Sequence, residues 1–536
     1  MLLRNKWIAS SLLALSLVVG STNTATAAES GVKNQLTYVN YRDLRDLNPH
    51  LYGGELFAQN LLFESLVKIQ KDGSYAPWLA KSWKVSDDGK TYVFQLREDV
   101  SFHDGEKFNA KAAKANLDAL LDNNKRHGWL ESIRLMMEVK QAGKNPIEAS
   151  GEYELTVRIA DSYYPLLTEF GVTRPFRFIS PKSFKDGTTK NGVTKMSGTG
   201  PYILESNKID EFSVFVKNDK YWGKKPNIER IVAKVIPDPQ TRLLALENNE
   251  IDLIFGPNMI TAEAYNTYSN KPGFKGIMSE PVSTRMMLLN TTHPILKDVK
   301  VRQALSHATD KVKISKGLFD GIEAPADTLM SKNTPYADVG LKPYDFSFEK
   351  ANKLLDEAGW KKVAGKKYRQ KDGKDLEVIL NYDSNKVTDN NIAEFLQVQY
   401  SKIGVHLNIK GEEEQAYRDR MKAGKFVITF NIGWGVPYDP QSFLGSMRKP
   451  VYGDYMAQQG LSNKKEMDDH ILAALKSVDE KKRQEHYKYV FETLHNQAVY
   501  LPITYKRNRA IFNQKVKDVG FNISQYEVPM EKMSVR

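Results

Sequence analysis

Cysteine is absent from the 536-residue chain. That absence removes disulfides, thiolate nucleophiles, iron–sulfur clusters and cysteine zinc sites, and with them a lipidated cysteine as membrane anchor. Histidine is sparse: the nine are His50, His103, His127, His293, His307, His406, His470, His486 and His495. No two stand in H-E-x-x-H or H-x-H spacing, so no metal pair is written into the sequence. His470 follows Asp468 and Asp469, a carboxylate–histidine cluster that the helical context reads as a solvated face. Also missing are G-x-S-x-G, a phosphate loop and a dinucleotide fingerprint. No block of like charge occurs either. Lys plus Arg number 77 against 65 Asp plus Glu, a net +12, but the bases are mixed with acids in runs such as KEMDDH and DEKKRQEH. A mixed-sign solvated surface follows, and nucleic acid is excluded as the expected partner.

Long apolar runs are missing beyond the first residues. Arg4 and Lys6 precede an apolar stretch from Trp7 to Val19, then Gly20 and small polar residues. Ala25-Thr26-Ala27 fits a small-x-small cleavage pattern, so residues 1–27 read as an export signal and the mature chain begins near Ala28. The run is shorter than the roughly 20 residues needed to span a bilayer about 30 Å thick. An exported protein with a cleaved signal and no lipid anchor is expected.

What is present is an ordinary globular composition: 41% apolar and 26% charged residues, with 7 Trp, 26 Tyr and 23 Phe. At this length two or three domains are expected. Trp83 and Val85, a turn at Asp87-Asp88-Gly89-Lys90, then Tyr92, Phe94 and Leu96 read as a hairpin. Ala112 to Leu121 has helical spacing, and Leu155, Val157 and Ile159 alternate as a strand. Leu376 to Leu380, the helix Asn391 to Tyr400 stopped at Gly404, and Val405, Leu407, Ile409 form a strand–helix–strand unit, hence a parallel sheet. Ser347 caps a helix that ends at Gly359. The fold class expected is α/β, two lobes in continuous contact.

Ser65-Leu66-Val67-Lys68 matches an S-x-x-K motif, but no K-T-G follows it, so an enzyme has no visible centre. Arginine and large aromatics instead gather in loops. Arg126-His127-Gly128-Trp129 follows a helix, Thr173-Arg174-Pro175-Phe176-Arg177-Phe178 places arginines beside aromatics, and the strand 426–430 runs into Gly433-Trp434-Gly435-Val436-Pro437-Tyr438-Asp439-Pro440. In open α/β sheets ligands gather at the carboxyl ends of strands. Arginine forks grip carboxylates and aromatic walls exclude water, so a carboxylate-bearing ligand is expected.

Ordered motifs along the mature chain carry a resemblance. LNPHLYGGELFAQNLLFESLVK from Leu47, WLAKSWKVSDDGKTYVFQLREDVSFHDGEKFNA from Trp78, GTGPYILE from Gly198, VRQALSHATDK from Val301 and WGVPYDPQSFLGSMRKP from Trp434 resemble the extracytoplasmic solute-binding proteins of ABC importers, peptide/nickel-binding family. NPHLY, RHGWLES, RPFRFISP and YLPITY are similar to its nickel-binding subgroup. The resemblance implies a periplasmic two-lobed protein with a hinge and an interlobe ligand cleft. It implies no enzyme activity, no prosthetic group, a monomer, and an inner-membrane ABC permease as partner. The implied ligand is nickel(II) wrapped in a small organic chelator such as histidine or a metallophore; a di- or oligopeptide, or another metal–opine chelate, is the alternative. Implied lobe bounds are 28–281 for the first, with an extra subdomain, 282–505 for the second, and 506–536 for the return to the first. Strand order and resemblance together put the hinge crossings near Pro281–Thr284 and Thr504–Arg507. Tyr52, Arg126, Trp129, Arg174, Tyr417, Trp434 and Tyr438 are the implied ligand-binding residues. Tyr452 stands in place of the histidine that nickel binders offer, which leaves no metal ligand assigned among the side chains. Arg285 is the basic residue that would favour a more anionic ligand if it faced the cleft.

Overall fold

A computed structural model describes residues 34–256, 259–450 and 452–536; residues 1–27, expected from the sequence to be an export signal, lie outside them. The fold is α/β and centres on an eleven-stranded mixed sheet. Its middle is a long antiparallel pair, Phe274–Leu289 and Tyr500–Asn513. On one side Leu253–Phe255 joins the second of these strands, followed by Gln35–Asn40, Arg230–Val235, Phe212–Lys217 and Tyr202–Lys208. On the other side Ile428–Ile432 joins the first, followed by Glu377–Asp383 and His406–Glu412. The last two pair in parallel through the helix Val387–Lys402, so the strand–helix–strand unit read from the sequence forms as expected.

The period-two alternation of a strand explains how one strand serves two cores. Met286 and Leu288 enter a core shared with the helices Gln441–Ser446, Lys464–Lys476 and Glu480–Asn496, whereas Met287 and Leu289 enter the core under Val299–His307, Phe348–Glu357 and Val387–Lys402. The first of these cores continues into a separate four-stranded sheet of Ala80–Val85, Thr91–Leu96, Glu154–Arg158 and Ile147–Ala149, packed on Ala110–Asp122. The hairpin at Asp87–Lys90 is part of it. Ser347 accepts from the Lys350 amide at 3.2 Å, and Gly359 takes φ +86°, so that helix begins and ends where its cap residues dictate.

The central pair is regular at its ends and irregular between. Its register shifts at Met278/Pro281, Pro281/Ser283 and Arg285/Met286. Pro281 has no N–H to give the ladder, which makes a break there physically expected. Beside the break, Arg285 is held between Glu323, at 3.4 Å from both carboxylate oxygens, and Asp389 at 3.3 Å. The three side chains are only 9%, 6% and 6% exposed. Thr504 donates to Glu323 at 2.6 Å from the partner strand, so the cluster ties both long strands to the helix that starts at Val387.

The loop leaving Ile428–Ile432 is pinned to the same place. Gly433 N–H donates to Thr284 O at 2.8 Å, and Asp439 accepts from the Gly435 N–H at 2.8 Å. Gly435 has φ +80°, and a Cβ there would stand 2.5 Å from Val282 O, so only glycine lets the loop pass this close. Burial pushes the Asp439 carboxyl up to about 7, against 3.8 ordinarily, and its other oxygen has no partner.

Removing the cation of the buried triad should cost more than any single contact in it. Arg285→Leu strands Glu323 and Asp389, an expected loss of about 3–5 kcal/mol read as a fall in the urea midpoint. Asp439 generates a pH prediction. The folded carboxyl keeps its proton to about 7 while an unfolded one loses it near 3.8, so stability falls as pH rises through that window. Asp439→Asn should remove that pH dependence, worth about 4 kcal/mol at most, in denaturation curves compared at acid and mildly alkaline pH.

Candidate functional site

The carboxyl end of Ile428–Ile432 and the irregular stretch of the long pair open on one cavity of about 900 Å³. Six of the seven residues named from the sequence line it: Tyr52, Arg126, Trp129, Arg174, Trp434 and Tyr438. Tyr452 lines it too. Tyr417 lies elsewhere, in an adjoining recess of about 280 Å³ that shares Trp434 and Tyr452 with the main cavity. Its hydroxyl donates to Phe430 O and accepts from Thr429, both at 2.8 Å, so it props the strand that leads into the Trp434 loop.

The aromatic residues form a continuous wall. Trp129 meets Trp434 edge-to-face at 6.1 Å and Tyr438 at 6.0 Å, while Tyr452 meets Trp434 edge-to-face at 5.8 Å. Such tilted pairs present ring faces and edges rather than a flat stack. Trp129 is fixed by donating its indole N–H to the Tyr52 hydroxyl at 2.9 Å, and that hydroxyl shares a 2.7 Å hydrogen bond with His127 Nδ1. Burial and the Arg126 charge push His127 down to about 4, so the imidazole is neutral near pH 7. Burial raises the Tyr52 phenol above its ordinary value, which keeps its proton on.

The polar lining is one-signed. Arg126, Arg174, Lys386, Arg418 and Lys506 contribute five cations and no carboxylate faces them in the cavity lining. Arg174 is aimed by its backbone partners: one terminal nitrogen donates to Tyr52 O at 2.9 Å and to Gly54 O at 3.0 Å, and the guanidinium lies 5.4 Å from the Tyr52 ring centre. Burial lowers its pKa, the signature of a cation taken out of water without an anion in place. Arg418 is bound to Glu414 at 2.6 Å and Lys386 stands 3.9 Å from Asp383, both on the exposed rim.

Sequence reasoning missed Lys386, Arg418, Lys506, Gln525 and Tyr526. Lys386 follows the carboxyl end of the Glu377–Asp383 strand, so the strand-end rule could have found it. Lys506 and the tail residues Gln525 and Tyr526 carry no local signal, since a lysine in a strand reads as surface. Arg285 does not line the cavity; it is spent on Glu323 and Asp389. The other sequence candidates dissolve. Ser65 donates to Val67 O at 2.9 Å while Lys68 lies over the Trp78 ring, so no nucleophile–base pair forms. Asp468 and Asp469 pair with Lys464 and Lys465, and His470 meets His486 and Tyr489 instead.

The lining supplies a metal with no imidazole and no carboxylate. Phenols, one amide, amines and guanidinium groups remain, and these are poor ligands at neutral pH. Among the described residues no group of three or more His, Cys, Asp or Glu could hold a metal ion, and no helix is long and apolar enough to cross a membrane. The arrangement is chemically suited to enclose a flat-sided anion.

Known proteins carry the same arrangement of elements. The nickel-binding periplasmic protein of Escherichia coli (strain K12) is 40% identical over 489 residues, 91% of this chain and 92% of that protein. The crystal structure of NikA from Brucella suis in complex with Fe(III)-EDTA superposes with a TM-score of 0.89 at 42% identity, covering 94% of this chain and all of that one. An ABC transporter substrate-binding protein from Sinorhizobium meliloti matches with a TM-score of 0.78 at 30% identity, over 94% of this chain and all of that one. Residues 74–454 match the family model of bacterial extracellular solute-binding proteins, family 5. The chain therefore belongs to the bacterial extracellular solute-binding proteins of family 5, two-lobed α/β proteins that bind solutes for transport and are not enzymes.

Proposed function

We propose that this protein is the exported receptor of an ABC importer and that it captures nickel(II) already wrapped in a small organic chelator. The single observation that carries the reading is the cavity itself: aromatic walls, five cations and no side chain suited to bind nickel. A bare divalent cation would be repelled there, whereas a chelate presenting carboxylates would find arginine forks and ring faces. The similarity to the Escherichia coli nickel-binding periplasmic protein and to NikA bound to Fe(III)-EDTA supports the same reading. A peptide would need its amino terminus neutralised, and the nearby carboxylates Asp383, Asp389 and Asp454 line the adjoining recess rather than this cavity.

In this reading residues 1–27 direct export and are removed. The first lobe is 28–281, the second 282–505, and 506–536 returns to the first. The hinge crossings lie near Pro281–Thr284 and Thr504–Arg507, which the register breaks at Pro281 and Ser283 support. Closure over the chelate presents the closed form to an inner-membrane permease. Arg174 holds a chelator carboxylate, with Arg126 at the rim, while Trp129, Trp434 and Tyr438 enclose the rest. Tyr52 sets the position of Trp129, and Tyr417 sets that of the strand leading into the Trp434 loop.

The test is a tryptophan-fluorescence titration of the metal-stripped mature protein with nickel alone, nickel with excess L-histidine, nickel–EDTA, the metal-free chelators and a dipeptide mixture. A response to nickel chelates alone is expected. A response to bare nickel or to dipeptides alone would sink the reading. Arg174→Ala should weaken chelate binding by about 2–5 kcal/mol, because the enclosed carboxylate loses its partner, with a smaller loss of stability from the Tyr52 and Gly54 carbonyls read separately in the urea midpoint. Tyr452→His adds an imidazole at the rim and should tighten binding of a nickel chelate with an open coordination position by about tenfold or more, measured in the same titration.

A further inference from the structure

Two of the cavity's five cations sit inside rather than on its rim. Arg174 and Lys506 are half-buried, while Arg126, Lys386 and Arg418 are exposed. Lys506 lies on the Tyr500–Asn513 strand opposite Ser283, within the irregular part of the long pair. Two carboxylates stand near it, Glu323 and Asp389, but both are committed. Glu323 is engaged by Arg285 and Thr504, and Asp389 by Arg285. Among the described residues no carboxylate comes within ion-pair distance of the Lys506 ammonium and no acceptor is hydrogen-bonded to it. Glu323 and Asp389 are shared between Arg285 and the field of Lys506, but neither reaches the ammonium, whose hydrogen-bonding positions are left open to an anion entering the cavity.

We propose that Lys506 is a second anion anchor of this cavity, set apart from Arg174, and that the ligand class is therefore a chelate with carboxylates at two poles and a net negative charge. This rests on the chelate-receptor reading above and adds the charge and shape that the ligand must have. Arg174, preset by the Tyr52 and Gly54 carbonyls, takes one pole; Lys506 takes the other; the aromatic wall covers the metal-bearing middle. Selectivity then comes from charge: a neutral chelate leaves Lys506 unpaired in the closed site, and a polyanionic one neutralises it. The groups that face Lys506 are Arg285 on the neighbouring strand, Glu323 before Ala324–Pro325, Asp389 on the Val387–Lys402 helix and Arg509 on its own strand. Burial, then Arg285, pulls the ammonium down to about 8, so an arriving carboxylate also draws a proton onto it in mildly alkaline buffer.

The experiment compares three nickel complexes that differ by one carboxylate arm each: the neutral iminodiacetate, the monoanionic nitrilotriacetate and the dianionic EDTA complex. They are titrated against the mature protein and its Lys506→Met and Lys506→Arg variants. In the unaltered protein the EDTA complex should bind at least about tenfold more tightly than the iminodiacetate complex. Lys506→Met should remove most of that difference by weakening the EDTA complex, and Lys506→Arg should restore it. Calorimetry near pH 8 in two buffers of different ionisation enthalpy should show uptake of on the order of half a proton with the EDTA complex, absent in Lys506→Met. Equal effects of Lys506→Met on all three complexes, or none on any, would overturn the anchor while leaving the receptor reading intact. No binding of any complex to the unaltered protein would remove the receptor reading and the anchor together.

Discussion

The antiparallel pairing of Phe274–Leu289 with Tyr500–Asn513 is the constraint on which the rest of the molecule hangs. It joins strands far apart in the chain, so its loop-closure entropy is large and must be met by the cores that form on either side. One end carries Leu253–Phe255 and through it the Gln35–Asn40 flank; the other carries Ile428–Ile432 and the parallel Glu377–Asp383 and His406–Glu412 strands. Because Met286 and Leu288 point to one core and Met287 and Leu289 to the other, a shift of register by one residue would swap the two sets. The ends are therefore held by side chains on both faces. Between them, where Pro281 cannot donate, the ladder gives way to Arg285, Glu323 and Asp389, and that is where the cavity opens.

The charge arrangement at this break has two layers of opposite character. The inner layer is an ion-pair cluster of one cation and two carboxylates: Arg285 lies between Glu323 and Asp389, Thr504 completes Glu323, and the charge left over is felt by Lys506. The cavity layer is cationic, since Arg174 and Lys506 reach it with no carboxylate within ion-pair distance among the described residues. Holding cations half out of water lowers their pKa values, which is free energy stored against an incoming anion.

Much of the frame was legible because it is written in local signals. The Asp88-Gly89 hairpin, the Ser347 cap, the Gly404 stop and the alternation of Val405, Leu407 and Ile409 each follow from backbone preference or periodicity, and each formed where expected. Of the candidate site, the aromatic and arginine loops were legible because large polar-tipped side chains gathered in loops have few structural reasons to be there. Tyr417 was read as a wall and instead braces a strand, since a hydroxyl's partner across a sheet has no trace in sequence. Lys506 was invisible for the opposite reason. Whether a lysine in a strand faces solvent or a cavity depends on a register set by residues more than two hundred positions away. The resemblance marks Arg285 as a base that would favour an anionic ligand if it faced the cleft, and only the position of Glu323 and Asp389 shows that it is held internally.

Under the chelate reading proposed above, a receptor that grips the wrapper rather than the metal solves a specific problem of reversibility. Direct imidazole or thiolate bonds to nickel would bind tightly, and release would wait on ligand exchange at the ion. Aromatic faces and ion pairs are individually worth about a kcal/mol to a few kcal/mol, and they are lost together when water enters. A cavity lined by Trp129, Trp434, Tyr438 and Arg174, with neutral His127 committed to Tyr52, keeps the one nearby imidazole away from the ligand. Specificity in such a site cannot come from the coordination preferences of the metal. In the proposed reading it comes from the outline and charge of the chelate, and Arg174 and Lys506, half-buried and without an ion-paired carboxylate among the described residues, are the groups that read them.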